Sequence, residues 1–240
     1  MTTFATVEDI INTALQELGM GNINLAAAAA DQTGYQMLGL LNALGDELLR
    51  AHDWSLLEKV MTFTGDGVSE SFPMPADFGR QVNQTQWSTT DNRPMQGPQS
   101  PQVWAWNKYG IVAAGVYFQY RILNGQYTVF PIPGLGEEFA LYYITKYWVA
   151  THGDIYNPSD RCVNGDDIVG FDRRLVIAGL KAKFWAQKGF DTTALQSEFN
   201  FLLANEKGAC QGARVIGLTS PANYPLIGWQ NVPDGNLYGF

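Results

Sequence analysis

The stretch DRRLVIAGLKAKFWAQKGFDTTALQSEFNFLL, residues 172–203, decides the fold because it contains two helices joined by a very short link. Asp172 can cap the first helix, along which apolar residues recur at helical spacing. Asp191 or Thr192 can cap the second helix. Since only residues 189–190 separate the two segments, we expect them to form an antiparallel helical hairpin.

Two more helices are predicted at the N-terminus. Thr6 can cap a helix that Gly19 ends, and a second helix is expected from about Ala27 or Asp31 to His52. Apolar residues recur along the second helix at spacings of 4, 3 and 4 residues, which places them on one stripe. Glycines weaken this helix but can instead permit close helix–helix approach. They are Gly34, Gly39 and Gly45.

Between the two helical pairs, the apolar period changes from helix to strand at Trp54. Apolar and polar residues alternate over residues 58–64, which predicts a strand. The GDG at 65–67 is typical of a hairpin turn, and the returning strand of the hairpin is expected at 68–72. An Asn-Gly pair at 124–125 predicts a type I′ turn. Further strands are expected at about 81–88, 115–123, 126–132 and 139–149. The region therefore predicts an antiparallel meander of at least five strands.

The order of elements predicts an α+β fold. We expect residues 1–54 and 171–211 to join as one four-helix bundle, with two N-terminal and two C-terminal helices. Residues 55–170 would form an inserted antiparallel β-domain, and residues 212–240 an extended C-terminal arm.

The C-terminal arm has neither a helical period nor strand alternation, yet it is rich in apolar and aromatic residues. A segment with this much apolar surface and no core of its own should bury it against a partner. We therefore predict that the arm binds either a larger partner protein or a neighbouring subunit. Its predicted contact residues are Tyr224, Leu226, Trp229, Leu237, Tyr238 and Phe240.

Charge is low and unevenly distributed. Charged residues make up 16% of the chain against 46% hydrophobic residues, a balance that predicts extensive burial, partly against other subunits. Residues 1–171 hold 8 of the 15 basic and 18 of the 23 acidic residues. This acidity argues against a protein that grips nucleic acid, because phosphate binding needs clustered cations. No secretion signal or membrane-spanning run is expected, and Cys162 and Cys210 are expected to be free thiols.

No catalytic, cofactor-binding or metal-binding residues are predicted, and we do not expect an enzyme. The chain has no nucleophile elbow, HExxH or P-loop motif. The run at 164–167, with Asp172, only faintly resembles a calcium loop and lacks its terminal Glu. His52 and His152 are expected to be structural, His52 as a cation at a helix C-terminus.

Two further patterns leave alternatives open. The basic residues Arg173, Arg174, Lys181 and Lys183 could face an acidic partner or form a solvated helix face.

Tryptophans of the β-domain could form a stacking platform, which would make the protein a carbohydrate-binding module of a virion or surface protein. Trp104 and Trp106 would share a face if VWAWNKYG (103–110) is a strand rather than one helical turn; Trp87 and Trp148 are the other candidates.

Several short motifs, taken in order, resemble one known family. They are VEDIINTALQELG (7–19), HDWSL (52–56), a Pro-x-Asp-Phe at 75–78, YRILNGQYTVFPIP (120–133) and LYYITKYWV (141–149). This order resembles the head-to-tail adaptors of short-tailed bacteriophages, also called tail tubular protein A, over roughly residues 5–210.

The resemblance implies a structural virion protein that is assembled in the host cytoplasm and placed in the neck or tail. Such adaptors form a ring, a 12-mer in this family, between the portal protein and the tail nozzle protein. DNA would pass through the ring during ejection without specific binding, and no cofactor or membrane is implied. The acidic balance agrees with a channel wall that repels phosphate.

Overall fold

The computed structural model describes residues 4–25, 32–110, 117–154 and 156–211. Within them the protein is α+β, as the sequence predicts. The helices are α1 Val7–Glu17, α2 Gln32–Ala51, α3 Pro101–Tyr109, α4 Arg173–Gln187 and α5 Thr193–Gln211. The first six strands are β1 Ala5–Thr6, β2 Glu58–Thr64, β3 Ser71–Pro73, β4 Phe78–Gln81, β5 Trp87–Ser88 and β6 Arg93–Pro94. The others are β7 Gln119–Leu123, β8 Gln126–Phe130, β9 Glu138–Thr145, β10 Val149–Ala150, β11 Pro158–Ser159 and β12 Ile168–Val169.

Helix α4 lies at the centre of the helical region. It contacts α1, α2 and α5, and nine of its 15 residues are buried. The short link to α5 confirms the predicted helical hairpin. The four-helix bundle stays a prediction, because the observed contacts show three helices arranged around α4. No helix among the described residues is both long and apolar enough to cross a membrane.

The predicted helix ends are confirmed at three positions. The Thr6 hydroxyl accepts the Asp9 amide of α1, and the Asp172 carboxylate accepts the Leu175 amide of α4 at 3.0 Å. Each cap satisfies one of the unpaired amides at a helix N-terminus. Gly19, with φ +73°, follows α1 in the left-handed conformation that commonly ends helices.

The β region is antiparallel in its ladders, but the predicted meander is wrong. Strand β9 is central to a five-stranded sheet, where it pairs with β2, β4 and β5, and β6 extends the sheet from β5. Strands β3, β8 and β7 form a separate sheet. β2 and β9, the first and last long strands of the region, therefore pair with each other. Local turn signals cannot predict this long-range pairing. The strand predicted at 81–88 is divided between β4 and β5.

The two predicted hairpin turns differ in outcome. Asn124 and Gly125 both have positive φ, 50° and 70°, and join β7 to β8 with Leu123 opposite Gln126. This is the expected tight hairpin. The GDG at 65–67 is also a turn, but the predicted β2–β3 hairpin is wrong, because β2 pairs with β9 and β3 with β8.

Two hydrophobic clusters form the interior. One lies within the β region and includes Tyr120, Tyr127 and Phe139. The other joins the helices to residues between them in sequence, among them Ile144 and Trp148. A small sheet of order β1-β12-β10-β11 contributes to this second cluster. The domain division at residues 54 and 171 stays a prediction.

Trp148 connects the sheets to helix α2. Its side chain is 2% exposed and stacks on Phe171 with ring centroids 5.7 Å apart. A Cβ added at Gly45 of α2 would overlap the Trp148 indole. The small residue at Gly45 therefore permits the close approach of a tryptophan rather than of another helix.

Substituting two glycines of α2 tests this packing. Gly45→Ala should lower the free energy of unfolding by about 1–3 kcal/mol, because the added methyl group displaces the Trp148 ring. Gly39→Ala, where nothing lies within 4 Å of the new atom, should raise it by up to about 1 kcal/mol through helix propensity. Urea denaturation measures both, and equal effects of the two substitutions would contradict the packing described.

Candidate functional site

The predicted partner-binding residues Tyr224, Leu226, Trp229, Leu237, Tyr238 and Phe240 lie outside the described residues. The arm that contains them follows α5, the least buried long helix. No residue of α5 whose burial is described is fully buried, and Phe201 is 66% exposed. Helix α5 therefore lies at the outer side of the helical region.

The basic residues of α4 are occupied within the protein. Arg174 forms ion pairs with Glu17 of α1 and, at 2.9 Å, with Glu198 of α5. Lys181 contacts the same two carboxylates at 2.6 and 3.3 Å, and its side chain is only 6% exposed. Two cations of α4 thus hold one carboxylate from α1 and one from α5. We call these four residues the α4 ion-pair network.

The network shifts the protonation of its α1 carboxylate. Burial raises the pKa of Glu17, but hydrogen bonds from Lys181 and Arg174 outweigh burial and hold the pKa below its ordinary value. The pKa of Arg174 is raised by its hydrogen bond to Glu17. Both Glu17 and Arg174 are therefore charged at neutral pH.

The two remaining basic candidates of α4 are also paired. Arg173 donates from Nε to Asp9 at 2.6 Å and from a terminal nitrogen to Thr13 at 2.9 Å. Lys183 pairs with Glu47 of α2. The four basic residues therefore meet acidic residues of the helices packed around α4 rather than forming an unpaired solvated face. Contact with an acidic partner protein stays a prediction.

The tryptophans do not form the stacking platform that the carbohydrate alternative requires. Trp104 and Trp106 lie on helix α3, where residues two apart point to nearly opposite sides. Trp104 is accordingly 6% exposed and Trp106 64% exposed. Trp148 is buried in the helical cluster, and Trp87 is half-buried in β5. The sequence left VWAWNKYG (103–110) open as a strand or one helical turn, and the structure shows the helical alternative.

Arg80 of β4 takes the role that the sequence suggested for His52. Burial lowers the pKa of His52, so its ring is neutral at physiological pH. The Arg80 guanidinium instead donates to the carbonyls of Leu49 and His52 and pairs with Asp53 at 2.7 Å. The cation at the C-terminus of α2 therefore comes from the β region. It lies too far along the chain for the sequence pattern of the helix to indicate it.

The acidic run at 164–167 closes a loop. The Asp167 carboxylate is buried and accepts the backbone amides of His152, Val163 and Asn164. His152 contacts Asp166 at 2.7 Å, and this hydrogen bond raises the pKa of the histidine. The three side chains of His152, Asp166 and Asp167 have ligand atoms within 4.8 Å of one another. Backbone amides already occupy both Asp167 oxygens, which accounts for the cluster without a metal ion.

Fold and ion pairs together define an α+β protein in which ion pairs join helix α4 to its neighbouring helices. Residues 5–178 match the family described as SU10 adaptor protein, well over half of the 240 residues. The chain therefore belongs to the SU10 adaptor protein family and is a structural adaptor of a bacteriophage virion. Membership implies contact with other virion proteins. No curated protein matches the chain. The narrower resemblance to tail tubular protein A stays a prediction.

Two lysines of α4 provide a matched test of the ion-pair network. Lys181→Met should lower the free energy of unfolding by about 2 kcal/mol, because it leaves Glu17 and Glu198 close together without the buried cation between them. Lys183→Met should cost about 0.5 kcal/mol or less, because its partner Glu47 is 63% exposed. Chemical denaturation of both variants measures the difference, and similar costs would argue against a special role of Lys181.

The pKa of Glu17 predicts a pH dependence. Its folded-state pKa lies below the ordinary value of 4.5, so its contribution to stability is present above that pH and is lost as pH falls through the lower folded-state pKa. The difference in unfolding free energy between the wild type and Glu17→Gln should therefore be constant near neutral pH and shrink below pH 4.5. Denaturation at a series of pH values measures it, and a difference that persists in acid would contradict this assignment.

Proposed function

We propose that the protein is a head-to-tail adaptor that forms a ring, most simply of twelve subunits, between the portal protein and the tail nozzle. Family membership carries this proposal. In this role the protein is not an enzyme and uses no cofactor. The helices around α4, joined as a bundle, would form the stiff wall of the ring, and the DNA would pass through its channel without specific binding.

The charge distribution supports the channel role. The protein carries a net charge of −8, and the four basic residues of α4 form ion pairs with neighbouring helices. Cations that are neutralised inside the subunit do not hold phosphate groups. An acidic wall also repels the genome, which keeps it mobile during ejection.

The C-terminal arm is the proposed docking segment, with the portal as its first partner and a neighbouring adaptor subunit as its second. Its aromatic residues are of the type that dominates binding energy at desolvated contact centres. The arm starts from α5, whose main contact among the long helices is with α4. Docking of the arm would therefore leave the contacts of the other helices intact.

Removal of the arm tests the docking role. A chain that lacks residues 213–240 should fold with the thermal stability of the full chain, because the described helices and sheets already form two buried hydrophobic clusters of their own. It should fail to attach to DNA-filled heads that carry the portal. Attachment is measured by co-sedimentation with filled heads, and normal attachment of the folded truncation would remove the arm from the proposal.

A pair of full-length variants separates specific contacts from the length of the arm. Replacing Trp229, Tyr238 and Phe240 with Ala should weaken attachment about tenfold or more. Replacing the interleaved polar residues Asn223, Gln230 and Asn236 with Ala should leave attachment unchanged. Electron microscopy of the attached protein shows whether the ring has twelve subunits, and equal attachment of both variants would contradict the aromatic anchors.

A further inference from the structure

A groove of about 330 Å³ lies where α2, β4 and the end of β9 meet. Arg50, Arg80, Lys146 and Arg161 line it, which are four of the eight basic residues in the first 171. Leu49, Phe78 and Ile144 supply apolar surface, and Asp46 and Asp160 are its acidic residues. The groove therefore carries a positive balance on a protein of net charge −8. We call it the basic groove.

Three cations of the basic groove are available to a ligand. Arg80 is engaged with Asp53 and with carbonyls of α2. Arg50, Lys146 and Arg161 form no ion pair with any described residue, whereas the cations of α4 are paired. Arg50 and Arg161 are also exposed. Unpaired cations beside apolar side chains favour an occupant that is both acidic and apolar.

The opposite end of the β region presents such a surface. Residues 65–69 and 132–138 lie together, joined by bonds from the Gly65 amide to the Glu137 carbonyl and from the Gly136 amide to the Gly65 carbonyl. We call these residues the acidic tip. It contains Asp66, Glu137 and Glu138 and no basic residue. Val68 and Leu135 are 79% and 87% exposed there.

The acidic tip is held in one shape by its own carboxylates. Asp66 accepts the amides of Val68 and Ser69 and the Ser69 hydroxyl, and these bonds, led by that of the hydroxyl, lower the pKa of Asp66 to about 2. Glu137 accepts the amide of Gly134 at 2.6 Å. An exposed apolar pair on an ordered acidic turn is a preorganised contact surface.

One subunit cannot bring its own acidic tip to its own basic groove. The β2–β9 ladder runs from Thr64 opposite Glu138, beside the tip, to Glu58 opposite Ile144, in the groove. At the rise of a strand, this separates the two surfaces by about 20 Å. The complementary surfaces therefore lie at opposite ends of one ladder.

We propose that the basic groove of one subunit binds the acidic tip of a second copy of this chain. Such a contact is heterologous, so every copy keeps one free tip and one free groove until the assembly closes into a ring. This inference rests on the proposed ring function and identifies the subunit contact that forms it. Charge complementarity between two surfaces of the same chain favours this occupant over duplex DNA, whose backbone presents phosphate and little apolar surface.

Paired charge reversals test the contact in the full chain. The groove variant is Arg50→Glu with Arg161→Glu, which leaves Arg80 at the end of α2. The tip variant is Leu135→Lys with Glu138→Lys, which leaves the turn bonds of Asp66 and Glu137. Each variant alone should self-associate about tenfold or more weakly than the wild type. An equimolar mixture should recover association, because reversed tips meet reversed grooves and native tips meet native grooves.

Sedimentation velocity over a wide concentration range at low salt measures association, and thermal unfolding checks each fold. Arg121→Glu is the control, since it changes the same charge on β7, in another sheet, and should associate like the wild type. A wild type that stays monomeric throughout, single variants that associate normally, or a mixture that recovers nothing would each overturn the proposal.

Two further measurements show which alternative would hold if the proposed contact were wrong. Double-stranded DNA that binds the wild type and not the groove variant would make the groove a nucleic-acid surface and overturn the proposal. Rings formed on portal-bearing heads by the groove variant alone would also overturn it, while leaving the adaptor function standing. Loss of head attachment by the arm truncation concerns the portal contact, so failures of the two proposals are distinguishable.

Discussion

The burial of α4 together with its charges is the constraint on which the helical region depends. Nine residues of this helix are removed from solvent, Lys181 among them. A buried ammonium group is tolerated only with partners, and Glu17 and Glu198 supply them from two different helices. The positions of α1 and α5 against α4 are therefore specified by charge as well as by apolar contact.

This arrangement also determines the charge that the subunit shows to its surroundings. Ion pairs inside the helical region neutralise basic residues of α4, while most described acidic residues outside the helical region form no ion pair with a described residue. The unpaired cations of the basic groove then stand out against an acidic background. A charged cluster has most influence on association where the rest of the surface carries the opposite sign.

Local patterns predicted the helices, their caps and the Asn124-Gly125 turn, because each depends on residues close in sequence. The same patterns failed for strand pairing. The turn at 65–67 suggested a hairpin, but β2 forms its backbone ladder with β9, across a separation of more than 70 residues. The basic residues of α4 were likewise recognised as a group, whereas their partners come from α1, α2 and α5.

The sequence by itself determined the α+β class, the order of the four long helices and the longer strands, and a resemblance to phage adaptors that agrees with membership of the SU10 adaptor family. Only the tertiary structure decided that Trp148 packs on Gly45, that Arg80 rather than His52 serves the end of α2, and that the basic groove and the acidic tip lie at opposite ends of one ladder. Periodicity and capping are local properties of a chain, whereas these contacts join residues that only the folded chain brings together.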